Sequence, residues 1–218
     1  MRRAAAALAI GAALGLSGCD TGPPVSQTRQ VPSFNFLEVQ GSIDLDVALF
    51  NRPEPGVRIT AGKKSIGRIV TDVVNNDTLR IRTKSRGLTI GPDPLGAVSV
   101  NLGVSALTGL RVEGKANVTL TGLSAKRFAL RVNGSGNVVA RGRVDTLEAE
   151  IDGSADTNLR DLATQATTIR INGSGETDLR VARTLDLVLE GSGNVIYRGH
   201  PSVSSRLDGS GNVTQLDR

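Results

Sequence analysis

The chain has 218 residues, with 26 basic and 21 acidic side chains, one cysteine, one histidine and no tryptophan. Four Phe and one Tyr are too few aromatics for the stacking platforms of nucleic-acid readers. The apolar content is mainly Val, Leu, Ile and Ala, which suits stacked short strands. A lone cysteine excludes internal disulfides and multi-cysteine metal sites, and no cofactor is expected.

Residues 1–18 read as a signal. Arg2 and Arg3 form a positive n-region, and Ala4 to Leu16 form an apolar run too short to span a bilayer. The run ends in Leu16-Ser17-Gly18-Cys19, which resembles the lipobox of bacterial lipoproteins. That resemblance implies cleavage before Cys19 and acylation of its thiol and new amino terminus, so Cys19 is the expected lipid-attachment residue. Several acyl chains anchor stably, at about 0.8 kcal/mol per buried methylene. A plain secretory peptide with an incidental cysteine is the other reading. Residues 19–33 lack periodicity and include three prolines. They read as a flexible tether spanning roughly 20 Å. The expected location is therefore the bacterial cell envelope, with the body membrane-anchored and facing the periplasm and the choice of membrane open.

Taking Arg2 and Arg3 from the 26 basic residues leaves 24 against 21 acids, net +3, too mild to imply a polyanion partner. Charge is uneven, however: eight basic residues lie between Arg58 and Arg86, against Asp72 and Asp77. A patch facing anionic head groups is one reading. A solvated strand face is the favoured one, because Leu79 and Ile81 alternate with Arg80, Arg82 and Lys84.

Residues 34–107 hold period-2 runs such as Ile43–Val47, Val57–Thr60, Leu79–Thr83 and Val98–Leu102, separated by breakers rich in Pro, Gly and Asn. This region is expected to cap the repeats of residues 108–218. Val39-Gln-Gly-Ser-Ile-Asp44 looks like a degenerate first copy of the phrase that dominates those repeats.

That phrase recurs six times, typically as Gly-Ser-Gly-Asn, with its first glycine at 114, 134, 153, 173, 191 and 209. A step of 18–20 residues is the mark of stacked repeats. Two residues before each glycine the slot is always apolar: Val112, Val132, Ile151, Ile171, Leu189 and Leu207. Polar and apolar residues alternate around it, the pattern of a strand with one buried face. The turn itself uses glycine for positive φ and Asn for local bonding. Both an antiparallel meander and a β-helix could carry this pattern. The helical stack better explains the same residue type recurring at the same slot, since like side chains then pile up about 4.8 Å apart.

The opening Phe34-to-Asp44 segment, the strand Thr78-Leu-Arg-Ile81, Leu107-Thr-Gly-Leu-Arg-Val-Glu-Gly114 and the successive turns resemble the putative auto-transporter adhesin head GIN domain. The likeness runs over residues 34–215 and rests on turn and core positions. It implies an all-β fold, a single-stranded right-handed parallel β-helix with about 18–20 residues per coil, on envelope proteins of undetermined activity. The second glycine of the turn is missing at Ala116 and Ala155, where distorted coils are expected.

Stacked polar slots before and after each turn could hold a cation or sugar, or could be a structural amide ladder; the ladder is favoured. Some β-helices cleave polysaccharides with grouped carboxylates. Here Glu113, Asp152, Glu190 and Asp208 alternate with Asn133 and Asn172, and no pair stands out. His200 beside Pro201 has no nucleophile partner nearby and reads as a surface residue. No catalytic residue and no metal site is expected. The expected function is non-catalytic, adhesin-like binding of a protein or glycan through the β-helix faces. The alternative is a structural or envelope-stress lipoprotein without a dedicated ligand, and a polysaccharide-cleaving enzyme is the least favoured.

Overall fold

The repeat glycines stand directly above one another. In the computed structural model, which describes residues 22–50, 56–84 and 96–216, Gly41 pairs with Gly114, and Gly114 with Gly134. The column continues through Gly153, Gly173, Gly191 and Gly209. The molecule is thus a β-solenoid of about five turns with parallel stacked strands, and the meander is excluded. At each corner the residue after the glycine donates its N–H to the glycine carbonyl of the preceding winding. Ser135 to Gly114 is 3.0 Å and Ser154 to Gly134 is 2.9 Å. That donation requires the glycine's positive φ, +120° at Gly153.

Fifteen strands join one sheet. The first eight are β1 (Pro24–Arg29), β2 (Phe36–Gly41), β3 (Asp44–Leu49), β4 (Val57–Gly62), β5 (Ile69–Val74), β6 (Thr78–Thr83), β7 (Val98–Val104) and β8 (Gly109–Gly114). Four long strands come next, each running from one glycine corner to the following one: β9 (Asn117–Gly134), β10 (Val138–Gly153), β11 (Thr157–Gly173) and β12 (Glu176–Gly191). The chain finishes with β13 (Asn194–Arg198), β14 (Ser202–Gly209) and β15 (Asn212–Leu216). A short 3-10 turn, Ile66–Arg68, is the one helical element among the described residues.

Each winding has three runs. Side one leads into the glycine corner and side two leaves it. Side three begins about eight residues after the glycine, where the ladder register shifts, as between Val139 and Gly142. Alternation sends every second side chain inward. Leu110, Leu130, Ile169 and Leu187 stack along side one, and Val118, Val138 and Val195 along side two. Leu123, Val144 and Leu162 fill the space behind side three. Each fully buried Leu, Ile or Val contributes roughly 1.5–3 kcal/mol, and a winding is stabilised only by the windings it touches. The expected distortions at Ala116 and Ala155 do not occur. Pairing runs in register up to both corners, and both methyl groups point into the core, 0% and 1% exposed.

Sequence order and spatial order part once, in the N-terminal region. β2 and β3 form a genuine winding, so the degenerate copy at Gly41 is a true corner with Asp44 paired to Asn117. The chain then lays β6 and β7 on the outer side of β2 and β3, and returns to place β8 and β9 on the inner side. Antiparallel strands close this end: β5 along β6, then β4 along β7 and β1 along β4. They end the parallel stacking that an open strand edge would otherwise invite to continue.

The flexible tether expected over 19–33 is corrected by this cap. From Pro24 to Arg29 the chain is a strand in full register with β4, and Lys63 N–H bonds the carbonyl of Pro23 at 2.9 Å. Arg29 fastens it, donating through Nη1 to the Ile69 carbonyl at 2.5 Å and through Nη2 to the Ile66 carbonyl at 3.2 Å. Those two carbonyls outweigh the lack of sequence periodicity. Residues 1–21, including Cys19 and the expected signal, lie outside the described residues, as do 51–55, 85–95 and 217–218. At the opposite end β14 and β15 have no further strand upon them among the described residues, and Val203, Leu207 and Leu216 are 39%, 50% and 40% exposed.

Candidate binding surfaces on the solenoid

Stacking turns each outward slot into a column. On side one, one residue before the glycine, stand Glu113, Asn133, Asp152, Asn172, Glu190 and Asp208. Three before it stand Arg111, Arg131, Glu150, Arg170, Val188 and Arg206. Ion pairs run along one column, Arg131 to Glu150 at 3.4 Å, and between the two, Arg111 to Glu113 at 3.5 Å. Such exposed pairs contribute little stability, about 0–1 kcal/mol. Three adjoining depressions of about 230, 480 and 290 Å³ follow this face, the first between the two columns and the others between the second column and the slot five residues before the glycine. The first two share Arg131 and Glu150, and the last two share Thr168 and Arg170. Together they form a shallow trough across β8 to β14, about 24 Å long at the spacing of neighbouring strands.

A separate depression of about 310 Å³ opens on side two beside the cap. Asp46 on β3, Asn101 on β7 and Arg58 on β4 lie in one row across it. Phe50, the aromatic side chain left 45% exposed, forms its wall. No local pattern of residues marks this hollow, because strands far apart in the chain build it.

The slots after the corner behave as a structural ladder. Asn117 Nδ2 donates to Asp44 at 2.8 Å, and Asp156 Oδ1 accepts from the backbone N–H of Glu176 at 2.9 Å. Side-chain oxygens here satisfy the backbone of the next winding. No cluster of three or more His, Cys, Asp or Glu suited to a metal exists among the described residues.

The side-one carboxylates singled out from sequence do share a column, with Asn133 and Asn172 between Glu113, Asp152 and Glu190. His200 is exposed at the loop after β13. The basic segment from Arg58 onward resolves as a paired strand face: Arg80 bonds Glu38 at 3.1 Å, and Arg82 lies 3.9 Å from Asp72. Missed from sequence was the recurrence of arginine seven residues after the glycine, at Arg141, Arg160, Arg180 and Arg198, of which Arg180 and Arg198 face each other in the ladder while a register shift sets Arg180 opposite Ala163. The repeat offset that revealed the core slots would have found it too.

Desolvation between the cap strands lowers the pKa of Arg29 from its ordinary value. It stays charged, and its role is to hold the cap. No helix among the described residues is long and apolar enough to cross a membrane.

A family model described as putative auto-transporter adhesin, head GIN domain, matches residues 33–201. Among solved structures, a putative adhesin from Bacteroides fragilis aligns with a TM-score of 0.71 at 16% identity, covering 89% of this chain and 97% of that one. A putative adhesin from Parabacteroides distasonis aligns with 0.57 at 19% identity, covering 89% and 98%. A structure called a putative lipid binding protein, also from Parabacteroides distasonis, aligns with 0.53 at 19% identity, covering 90% and 98%. At such identities the likeness shows the fold. No curated protein matches the chain.

Proposed function

This chain belongs to the putative auto-transporter adhesin, head GIN domain family, and from that membership we propose a non-catalytic, lipid-anchored envelope protein that binds a protein or glycan partner along its solenoid. The observation that carries the binding role is the side-one trough. It runs across six stacked strands and offers guanidinium, carboxylate and amide groups on a rigid sheet. Rigid display lowers the ordering cost of association, and repeated polar groups suit an extended partner. Anchoring through Cys19 would hold this surface in the periplasm beside the membrane.

Two experiments test the parts separately. Cys19→Ser should abolish acyl labelling and release the protein from the membrane fraction; persistence of both ends the lipoprotein assignment. A photo-crosslinking residue replacing Thr168 in the trough should capture a saturable partner in intact cells. The same residue at exposed Ser154, at the corner, should capture none. Equal or absent capture at both positions favours the alternative of a structural lipoprotein without a ligand.

A further inference from the structure

Winding the chain sorts its charges by side. Side one, between β8 and β14, sets four arginines against seven carboxylates. Side two carries Asp156, Glu176 and Asp178, with Lys115 at its corner. Side three reverses the sign. Arg141, Arg160, Arg180 and Arg198 stand seven residues after their glycines, at the corner where side two passes into side three, and Lys126, Arg127, Arg143 and Arg183 lie on the run beyond it. Against these eight cations the corner and side three hold only two acids, Asp145 and Asp161.

Internal pairing leaves most of this charge free. Asp161 is shared by Arg141 at 3.5 Å and Arg160 at 3.9 Å, and Arg198 bonds Asp178. Lys126, Arg127, Arg143, Arg180 and Arg183 have no ion pair among the described residues, and all five are exposed. Arg180 even lies directly opposite Arg198 in the ladder, an arrangement that destabilises adjacent strands unless an anion is shared. Parallel stacking spaces the runs about 4.8 Å apart, so Arg143, Arg180 and Arg198 share one row of the ladder through Ala163, with the remaining cations near it.

The cap strand decides which anion lies nearest. If Cys19 is lipidated, only four residue steps separate it from Pro23, already bonded to Lys63. Four residues reach at most about 14 Å. The capped end of the solenoid is then held at the bilayer, which brings the flanks beside it within reach of the surface.

From this charge sorting and short reach we infer that side three is a docking surface for an anionic phospholipid bilayer, on which the solenoid lies with side one turned away. The inference rests on the lipid-anchored reading and deepens it, for it leaves the side-one trough open to the periplasm. The attraction of Lys and Arg to such a surface is screened over a Debye length of about 10 Å at 0.1 M, so it weakens as salt rises.

The test removes the anchor so that charge alone acts. Every described strand and core side chain lies after Pro23, so the mature chain from residue 19 carrying Cys19→Ser retains them. Its sedimentation with vesicles of phosphatidylcholine and phosphatidylglycerol should be strong at low salt and lost at high salt, and pure phosphatidylcholine should not bind it. The fourfold variant Lys126→Gln, Arg127→Gln, Arg143→Gln and Arg183→Gln removes no ion pair. It should melt like the parent and bind the mixed vesicles at least about tenfold more weakly, while Lys115→Gln at the exposed glycine corner leaves binding unchanged. Equal binding to both vesicle types, or an unaffected fourfold variant, overturns the inference. Binding to soluble polygalacturonate without binding to vesicles overturns it in favour of an anionic polymer. Acyl labelling of the native chain reports on the anchor independently, so either reading can fail alone.

Discussion

Replacing Gly153 by alanine tests the stacked-corner geometry most directly. The glycine sits mid-solenoid at φ +120°, and an added Cβ would press into the Gly134 carbonyl, with the Gly134 carbonyl carbon at 3.0 Å and nitrogen at 3.2 Å. A side chain held in that backbone region costs about 1–3 kcal/mol. Relief of the clash must push the Gly134 carbonyl away from Ser154 N–H, now 2.9 Å distant, at a further cost of about 0.5–1.5 kcal/mol. The sum is about 1.5–4.5 kcal/mol. For a domain of this size that lowers the melting temperature by roughly 3–18 °C. Urea unfolding of Gly153→Ala beside Ser154→Ala provides the measurement. Ser154 is exposed, and the same slot in the first repeat winding holds Lys115, so the control should change by less than about 0.5 kcal/mol. Equal stability of the two variants would refute the argument that a glycine carbonyl one winding below dictates the corner.

Two other substitutions probe the core and the cap. Thr157 and Thr177 pair across neighbouring windings at a slot that is Val in Val118, Val138 and Val195, and both hydroxyls are buried without a hydrogen-bond partner. Thr157→Val and Thr177→Val should each stabilise by about 1 kcal/mol in denaturant titration; a loss of stability in both would show that the hydroxyls are satisfied. Arg29→Ala leaves the Ile66 and Ile69 carbonyls without their guanidinium donor. It should cost about 1.5–3 kcal/mol and raise hydrogen exchange in Pro24–Arg29, and unchanged exchange there would mean that β1 is held by its pairing with β4 alone.

The winding is legible in the amino-acid sequence. A glycine every 18–20 residues marks the corners, and alternation about it assigns the inward slots. Both signals are local, so Val112, Val132 and Ile151 could be placed on the core face before any strand was paired with another. The same locality explains the failures. Ala116 and Ala155 break the glycine pattern, yet their slot faces the interior and tolerates a methyl group without loss of register. Residues 24–29 show no alternation, because an edge strand capped on one side is held by backbone pairing and by Arg29, which reaches carbonyls 37 and 40 residues away.

Which strand edges meet is settled only in the folded chain. Gly41 pairs with a glycine 73 residues onward because β4 to β7 fold to the outer side, a choice between two edges of β2 that no periodicity records. That choice builds the hollow beside Phe50. The sorting of cations onto side three likewise exists only once windings of 20, 19, 20 and 18 residues are laid in register, since charges far apart along the chain share a flank through stacking alone.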